Sequence, residues 1–204
     1  MTQGPHMYRR NFLIALVTTL GALISRPLKA LHRWGCHTTA DVSGPFHRPN
    51  APMRTNLREG YRKSQIGKPL EVYGTVYGSD CETPMKDALL DLWHADPTGE
   101  YDMHGDLFLF RARVKMDENG NYRFQTLMPA AYSDAGLHRP KHIHYIITAP
   151  GHKTLVTQLY FQGDERLADD PFVQQNDGLT RAMTCVQSSK GVYEMRFDIY
   201  LEAQ

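Results

Sequence analysis

The chain has 204 residues, enough for one domain with a sizeable core. Its 23 lysines and arginines nearly balance its 22 aspartates and glutamates, and no basic stripe argues for nucleic acid. The three cysteines, Cys36, Cys81 and Cys185, form no CxxC pair, which excludes zinc-ribbon and thioredoxin-like chemistry. One disulfide with a leftover thiol and three free thiols both fit the sequence.

Residues 1–30 read as an export signal. Arg9-Arg10-Asn11-Phe12-Leu13 precedes an apolar run to Ile24, and Arg26 and Lys29 follow it. The run is too short for an ordinary transmembrane helix. The paired arginines match a twin-arginine signal, with an ordinary secretory signal or a retained N-terminal anchor as alternatives. The expectation is export to the periplasm or beyond, with no membrane span once the segment is removed. The remainder is mildly acidic, because the segment carries basic residues and no acids.

Residues 31–68 form a loop-rich lead-in marked by Gly44-Pro45, Pro49, Pro52, Gly60 and Gly67. From Pro69 short strands take over, so 69–204 is expected to be one β-sandwich domain. Leu70, Val72 and Val76 alternate with Glu71, Tyr73, Thr75 and Tyr77. Ala88 to His94 is a second apolar run. Arg111–Asp117 and Asn121–Thr126 flank Asp117-Glu118-Asn119-Gly120, a hairpin-type turn. Lys141–Ala149 and Thr154–Phe161 form the next pair across Pro150-Gly151. Residues 164–181 hold a helical turn or two. Tyr193, Met195, Phe197, Ile199 and Leu201 alternate with polar residues near the end. Many short strands with polar turns predict an all-β chain with an antiparallel sandwich core.

The chemistry concentrates in Arg139-Pro140-Lys141-His142-Ile143-His144. On a strand, His142 and His144 point to one face. Tyr101 and Tyr132 stand upstream, each just after a turn-like segment. Two imidazoles and two phenols are an unusual donor set, since zinc sites draw on Cys, His and carboxylate, and ferrous oxygenases on two His and a carboxylate. Phenolates are hard anions and suit a trivalent metal. Two phenolates and one hydroxide neutralise such an ion, which makes its burial tolerable. A dianionic bidentate ligand replacing the hydroxide and one tyrosinate would keep that balance, and the two released groups would then be available as bases.

With the runs LEVYGTVYGSDCETP, LDLWHADPTGEYD, NYRFQTLMPAAY, RPKHIHY and TQLYFQGD and the segment Gly44-Pro45-Phe46, the sequence resembles the intradiol ring-cleavage dioxygenases from about Gly44 to Leu201. The resemblance implies a β-sandwich and an Fe(III) centre held by Tyr101, Tyr132, His142 and His144. It further implies O2-dependent cleavage of a catechol between its hydroxyls, giving a muconate-type diacid. Tyr132 and His144 would be axial, Tyr101 and His142 equatorial, and Tyr132 the tyrosine that leaves. Arg139 matches a catalytic arginine, with a surface pair to Asp134 as the plain alternative. Gln158 matches a catalytic glutamine near the open side of the iron. Gly44 and Pro45 match a loop lining the substrate pocket. His47 stands where tyrosine is common, which puts substrate preference in doubt. The helical dimerisation region of the classical catechol-cleaving branch is missing, so the chain resembles the compact protocatechuate-type subunit or its short exported relatives. Self-association is implied as well.

The other histidines are weighed as supporting residues. His94 is read as core or support for the site, His104 and His138 as loop or pocket residues, and His32, His37 and His152 as surface. Asp96 and Glu100 are assigned to a turn, Trp93 and Tyr73 to packing. The HxH lacks the following carboxylate of a cupin and the third histidine of a carbonic-anhydrase-like zinc site. Two rivals stand beside the dioxygenase: an inactive intradiol-like β-sandwich binding module at the cell surface, and a zinc hydrolase built on the HxH.

Overall fold

The computed structural model describes Met1 and residues 36–62, 67–134 and 136–204. The segment read as an export signal, apart from Met1, and residues 31–35 and 63–66 of the lead-in lie outside the described residues. The strands are β1 (Pro69–Tyr77), β2 (Leu89–Trp93), β3 (Arg111–Lys115), β4 (Asn121–Leu127), β5 (Tyr132–Asp134) and β6 (Leu137–Arg139). They continue as β7 (His142–Thr148), β8 (Leu155–Phe161), β9 (Ala182–Met183), β10 (Val186–Gln187), β11 (Tyr193–Arg196) and β12 (Ile199–Tyr200). Between β8 and β9 lie one short helix, α1 (Pro171–Gln175), and two 3-10 turns, Glu165–Ala168 and Gly178–Arg181. The helical character expected for 164–181 is therefore present. No helix among the described residues is long and apolar enough to cross a membrane.

Two sheets share one core. In the first, β1 pairs with β4 on one edge and with β11 and then β12 on the other, while β10 extends β11. The second runs β3-β2-β7-β8-β9. Leu70, Val72, Phe124, Met195 and Ile199 of the first pack with Leu90, Leu92, Val114, Ile143, Tyr145, Ile147 and Leu159 of the second. The alternation read from β1 and from the C-terminal strands is the inward half of this pattern.

The expectation of an antiparallel sandwich is corrected, because both sheets are mixed. β11 and β12 run parallel to β1, and β9 runs parallel to β8. Parallel partners meet through long crossovers and leave no local turn signature, so Leu70 opposite Tyr193 is invisible in the sequence. The turn at Asp117-Glu118-Asn119-Gly120 is a second correction. It closes tightly, with the Asp117 carboxylate accepting from the Asn119 and Asn121 N–H groups at 2.8 Å each. The strands on either side, β3 and β4, nevertheless belong to different sheets. The turn is a corner from one layer to the other rather than a hairpin. The pairing of β7 with β8 is antiparallel as expected.

Strand alternation decides where the chemistry sits. Ile143, Tyr145 and Ile147 face the core, so His142 and His144 emerge on the outer face of the second sheet. Registered pairs place Arg111 beside Trp93, Trp93 beside His144, and His144 beside Gln158. These four form a row across four strands on one face. The lead-in covers this face. Asp41 N–H donates to Val156 O at 2.8 Å and Arg113 N–H to Pro52 O at 2.9 Å. A disulfide joins Cys36 to Cys81 and leaves Cys185 free.

Candidate metal centre

His142 and His144 are fully buried on the central strand of the second sheet. Their Nε2 atoms stand 3.0 Å apart. The Tyr101 hydroxyl lies 3.4 Å from His142 Nε2. The Tyr132 ring is 5.5 Å from the Tyr101 ring and 5.6 Å from the His142 ring, between centroids. All four side chains expected to ligate a metal thus converge from three segments: the loop after Gly99, the hairpin β5–β6 and strand β7.

The donor chemistry fits a cation. His142 Nδ1 faces Pro140 O at 2.7 Å, and a carbonyl can only accept, so Nδ1 carries the hydrogen and Nε2 presents a lone pair. His144 Nδ1 is buried with no partner. Burial, reinforced by Arg139, pushes His142 down to about 3, which leaves it neutral at ordinary pH. Burial, then His142 and Arg139, hold His144 well below the usual histidine range. Burial, then the neighbouring Tyr132, hold the Tyr101 phenol well above its ordinary value. Burial raises Tyr132 too. Left alone, the group is four polar side chains that burial holds neutral, crowded beside the Arg139 guanidinium. A trivalent ion among them would reverse the phenol ionisation and satisfy both lone pairs.

Arg139 is 5% exposed and does not pair with Asp134. Its Nε donates to Asp170 Oδ2 at 2.6 Å and its Nη2 to Gln158 Oε1 at 2.8 Å. Gln158 Nε2 donates to Val42 O at 2.7 Å, so Gln158 ties Arg139 to the lead-in. Asp170 also caps α1, its Oδ1 accepting from the Phe172 and Val173 N–H groups at 2.9 Å each. Tyr160 and Arg181 complete this buried network through Asp41, at 2.9 and 2.8 Å.

The pocket residues divide. Gly44 adopts a φ of +64°, and a Cβ there would stand 3.6 Å from His144 Cε1, so this turn passes directly over the histidine. Pro45 is exposed beside it. His47 is engaged elsewhere: its Nε2 lies 3.1 Å from Asp91 Oδ2, and its ring packs on Trp93 at 4.7 Å. Trp93 in turn lies flat against His144 at 4.7 Å and 2°. His47 thus reaches the centre only through Trp93. His94 has both nitrogens occupied, by Ala95 O and Thr126 Oγ1 at 2.7 Å each, and is a core residue. Asp96 collects its turn's donors, as expected.

Sequence reasoning assigned no site role to Phe46, Trp93, Arg111 and Asp170. Phe46 stacks on Tyr101 at 4.3 Å and meets Tyr132 edge-on at 6.1 Å. The Asp-Pro step at Asp170, an N-cap followed by a proline at the first helical position, was a readable signal. The contact from Asp170 to Arg139 was not.

Residues 42–203 match a family model described as Dioxygenase. Chlorocatechol 1,2-dioxygenase of Cupriavidus pinatubonensis is 32% identical over 150 residues, covering 65% of this chain and 58% of that protein. The 6-chlorohydroxyquinol 1,2-dioxygenase of the same organism is 32% identical over 211 residues, covering 95% of this chain and 75% of that protein. Among solved structures, the dioxygenase domain of a dioxygenase carbohydrate-binding protein fusion from Streptomyces sp. SirexAA-E is 34% identical with a TM-score of 0.70. That match covers 82% of this chain and 99% of the other. The 3-chlorocatechol 1,2-dioxygenase from Rhodococcus opacus 1CP is 28% identical with a TM-score of 0.73, covering 82% of this chain and 73% of that one. The chain therefore spans 58% of the chlorocatechol-cleaving relative and nearly all of the fusion's dioxygenase domain. With the family model matched across almost the whole of the described domain, the chain belongs to the intradiol ring-cleavage dioxygenases.

Proposed function

We propose that this protein is a non-heme Fe(III) intradiol dioxygenase, which uses O2 to open a catecholic ring between its hydroxyls and yields a muconate-type diacid. The observation that carries this is the convergence of Tyr101, Tyr132, His142 and His144 on one buried point. These four would hold the metal. A ferric ion held there would bind the substrate as a catecholate and make it reactive toward dioxygen.

The protein's own groups have distinct work. His142 and His144, fixed by the central strand, would be permanent ligands. Tyr132 would be the ligand that lets go and takes a substrate proton on its phenolate oxygen. Its position on the two-stranded hairpin β5–β6 supports this, because such a hairpin moves more readily than a central strand. Arg139 pairs with Tyr132 in that hairpin, so its guanidinium would favour negative charge developing on the ring carbon nearby. Gln158 would keep that guanidinium aimed. Phe46 and the Gly44 turn would exclude water.

A binding module without turnover is disfavoured because the full donor set is present and assembled. The exported location is also proposed. The paired-arginine segment supports it, as does the Cys36–Cys81 disulfide, which suits an oxidising compartment. Cell fractionation tests this, and protein confined to the cytoplasm would refute it. Homo-oligomers are proposed from the resemblance and tested by sedimentation.

Oxygen uptake by iron-loaded protein with catechol, protocatechuate, hydroxyquinol and a chlorocatechol tests the activity. The expected result is one O2 consumed per ring-opened diacid for at least one of them. Extradiol products, or binding without uptake of any, would refute it.

A further inference from the structure

Arg111 opens β3, and only 1% of its surface is exposed. Its described hydrogen bonds all go to uncharged groups. Nε donates to Asp102 O at 2.9 Å, Nη1 to Phe46 O at 2.7 Å, and Nη2 reaches Met103 Sδ at 3.5 Å. A guanidinium buried in this way is costly unless its geometry serves something else. Here the two carbonyls belong to two chains of residues that must meet. Asp102 directly follows Tyr101, and Phe46 carries the ring stacked on Tyr101 at 4.3 Å and 14°.

The same loop, and the same Asp102 carbonyl, is held by a second arginine. Arg48, from the lead-in, donates to Asp102 O at 3.2 Å and to Gly105 O at 3.1 Å, and lies over the Phe108 ring at 4.3 Å. The Asp102 carboxylate takes the Gly105 and Leu109 N–H groups at 2.7 Å each. Arg54 donates to Phe108 O. Phe108 and Phe110 both stand at positive φ, 50° and 56°, a conformation that bulky residues adopt only when their surroundings impose it. The segment after Tyr101 is thus a strained loop held in place by arginines.

We propose that Arg111 is a positioning residue, whose planar fork clamps the lead-in at Phe46 onto the loop at Asp102 and so fixes the aim of the Tyr101 ring at His142. The row Arg111, Trp93, His144 and Gln158 explains how β3 can do this, for it delivers the guanidinium to the same face as the histidines. This rests on Tyr101 being a metal ligand, as proposed above. Lysine cannot replace the arginine, since one ammonium does not span two carbonyls in a fixed plane.

The test measures ferric-ion affinity, by competition with a chromogenic chelator, and the near-ultraviolet circular dichroism of the metal-free protein. It compares wild type, Arg111→Lys, Phe46→Leu and the double variant, with urea unfolding as the fold control. Each single variant is expected to alter the near-ultraviolet spectrum and to weaken ferric binding on the order of 10–100-fold. The double variant is expected to bind no more weakly than the worse of the two singles, because Arg111 holds the Phe46 backbone and so acts on Tyr101 through the same stacked ring that Phe46→Leu removes. Phe46→Tyr, which keeps a stacking ring, is expected to restore wild-type affinity. Unchanged affinity and spectrum in Arg111→Lys, or losses that multiply in the double variant, would overturn the clamp. If Arg111→Lys does not fold, Arg111→Gln takes its place under the same criteria. Wild-type protein that binds no ferric ion would refute the metal site instead, and the metal-free spectra would still decide the clamp.

Discussion

Two imidazoles and two phenols converging on one buried point are the residue-scale fact about this protein. Tyr132→Phe removes the proposed leaving ligand's oxygen while keeping its ring. Ferric ion should still bind through the other three side chains, and turnover should fall by about 10²–10⁴-fold, the range for a lost proton acceptor. Stopped-flow kinetics of catechol binding checks this, and full activity would contradict it. His94 gives a separate prediction. Burial, with a contribution from Arg111, pushes it down to about 4 against the usual 6.5. The unfolded chain therefore binds a proton that the folded one refuses between those values. Stability from this group is present above pH 6.5 and is lost as pH falls toward 4. Metal-free His94→Gln should show a shallower fall over that window, by up to about 1.4 kcal/mol per pH unit. Urea midpoints measured across it test the sign, and an unchanged slope would contradict it. That His142 and His144 share a face was legible at this scale because the i, i+2 spacing is a local fact, whereas Tyr101 and Tyr132 were picked out by the resemblance. The roles of Phe46 and Arg111 were not legible, since they lie in carbonyls and ring faces that meet only after folding.

At the scale of elements, α1 supports the site although it is only a single short helix. Its cap, Asp170, is also the buried counter-charge of Arg139, so one carboxylate orders both the helix and the guanidinium. Asp170→Ala should destabilise by about 3–5 kcal/mol, because it strands a buried guanidinium and removes the cap. Asp170→Asn should cost less, since its amide oxygen still caps the helix. Urea unfolding of both variants checks the ranking; equal small losses would show that the pair adds little. The strand signals from β1, β7 and β8 were readable because alternation is local. Two failures share one cause. The Asp117–Gly120 turn looked like a hairpin because its residues fix a tight reversal but not which sheet receives the next strand. The parallel partners of β1 and β8 escaped notice because no turn announces them.

At the scale of the whole molecule, the sandwich turns its outer face into a floor and the lead-in into a lid. Asp41, Val42, Gly44 and Phe46 each touch a different part of the site. The Cys36–Cys81 disulfide fixes the start of this covering segment and closes a sequence separation of 45. Replacing Cys36 with serine should therefore lower stability by about 2–4 kcal/mol and loosen the lid. Differential scanning calorimetry and ferric retention together report both effects, and an unaltered transition would contradict the staple. The central claim, one ferric ion held by two tyrosinates and two histidines, is tested most directly by titrating metal-free protein with ferric ion while recording visible absorption. The expected result is a red-brown tyrosinate-to-iron charge-transfer band that saturates at one ion per chain and weakens in Tyr101→Phe. Iron-loaded protein that stays colourless, or a band indifferent to residue 101, would contradict it.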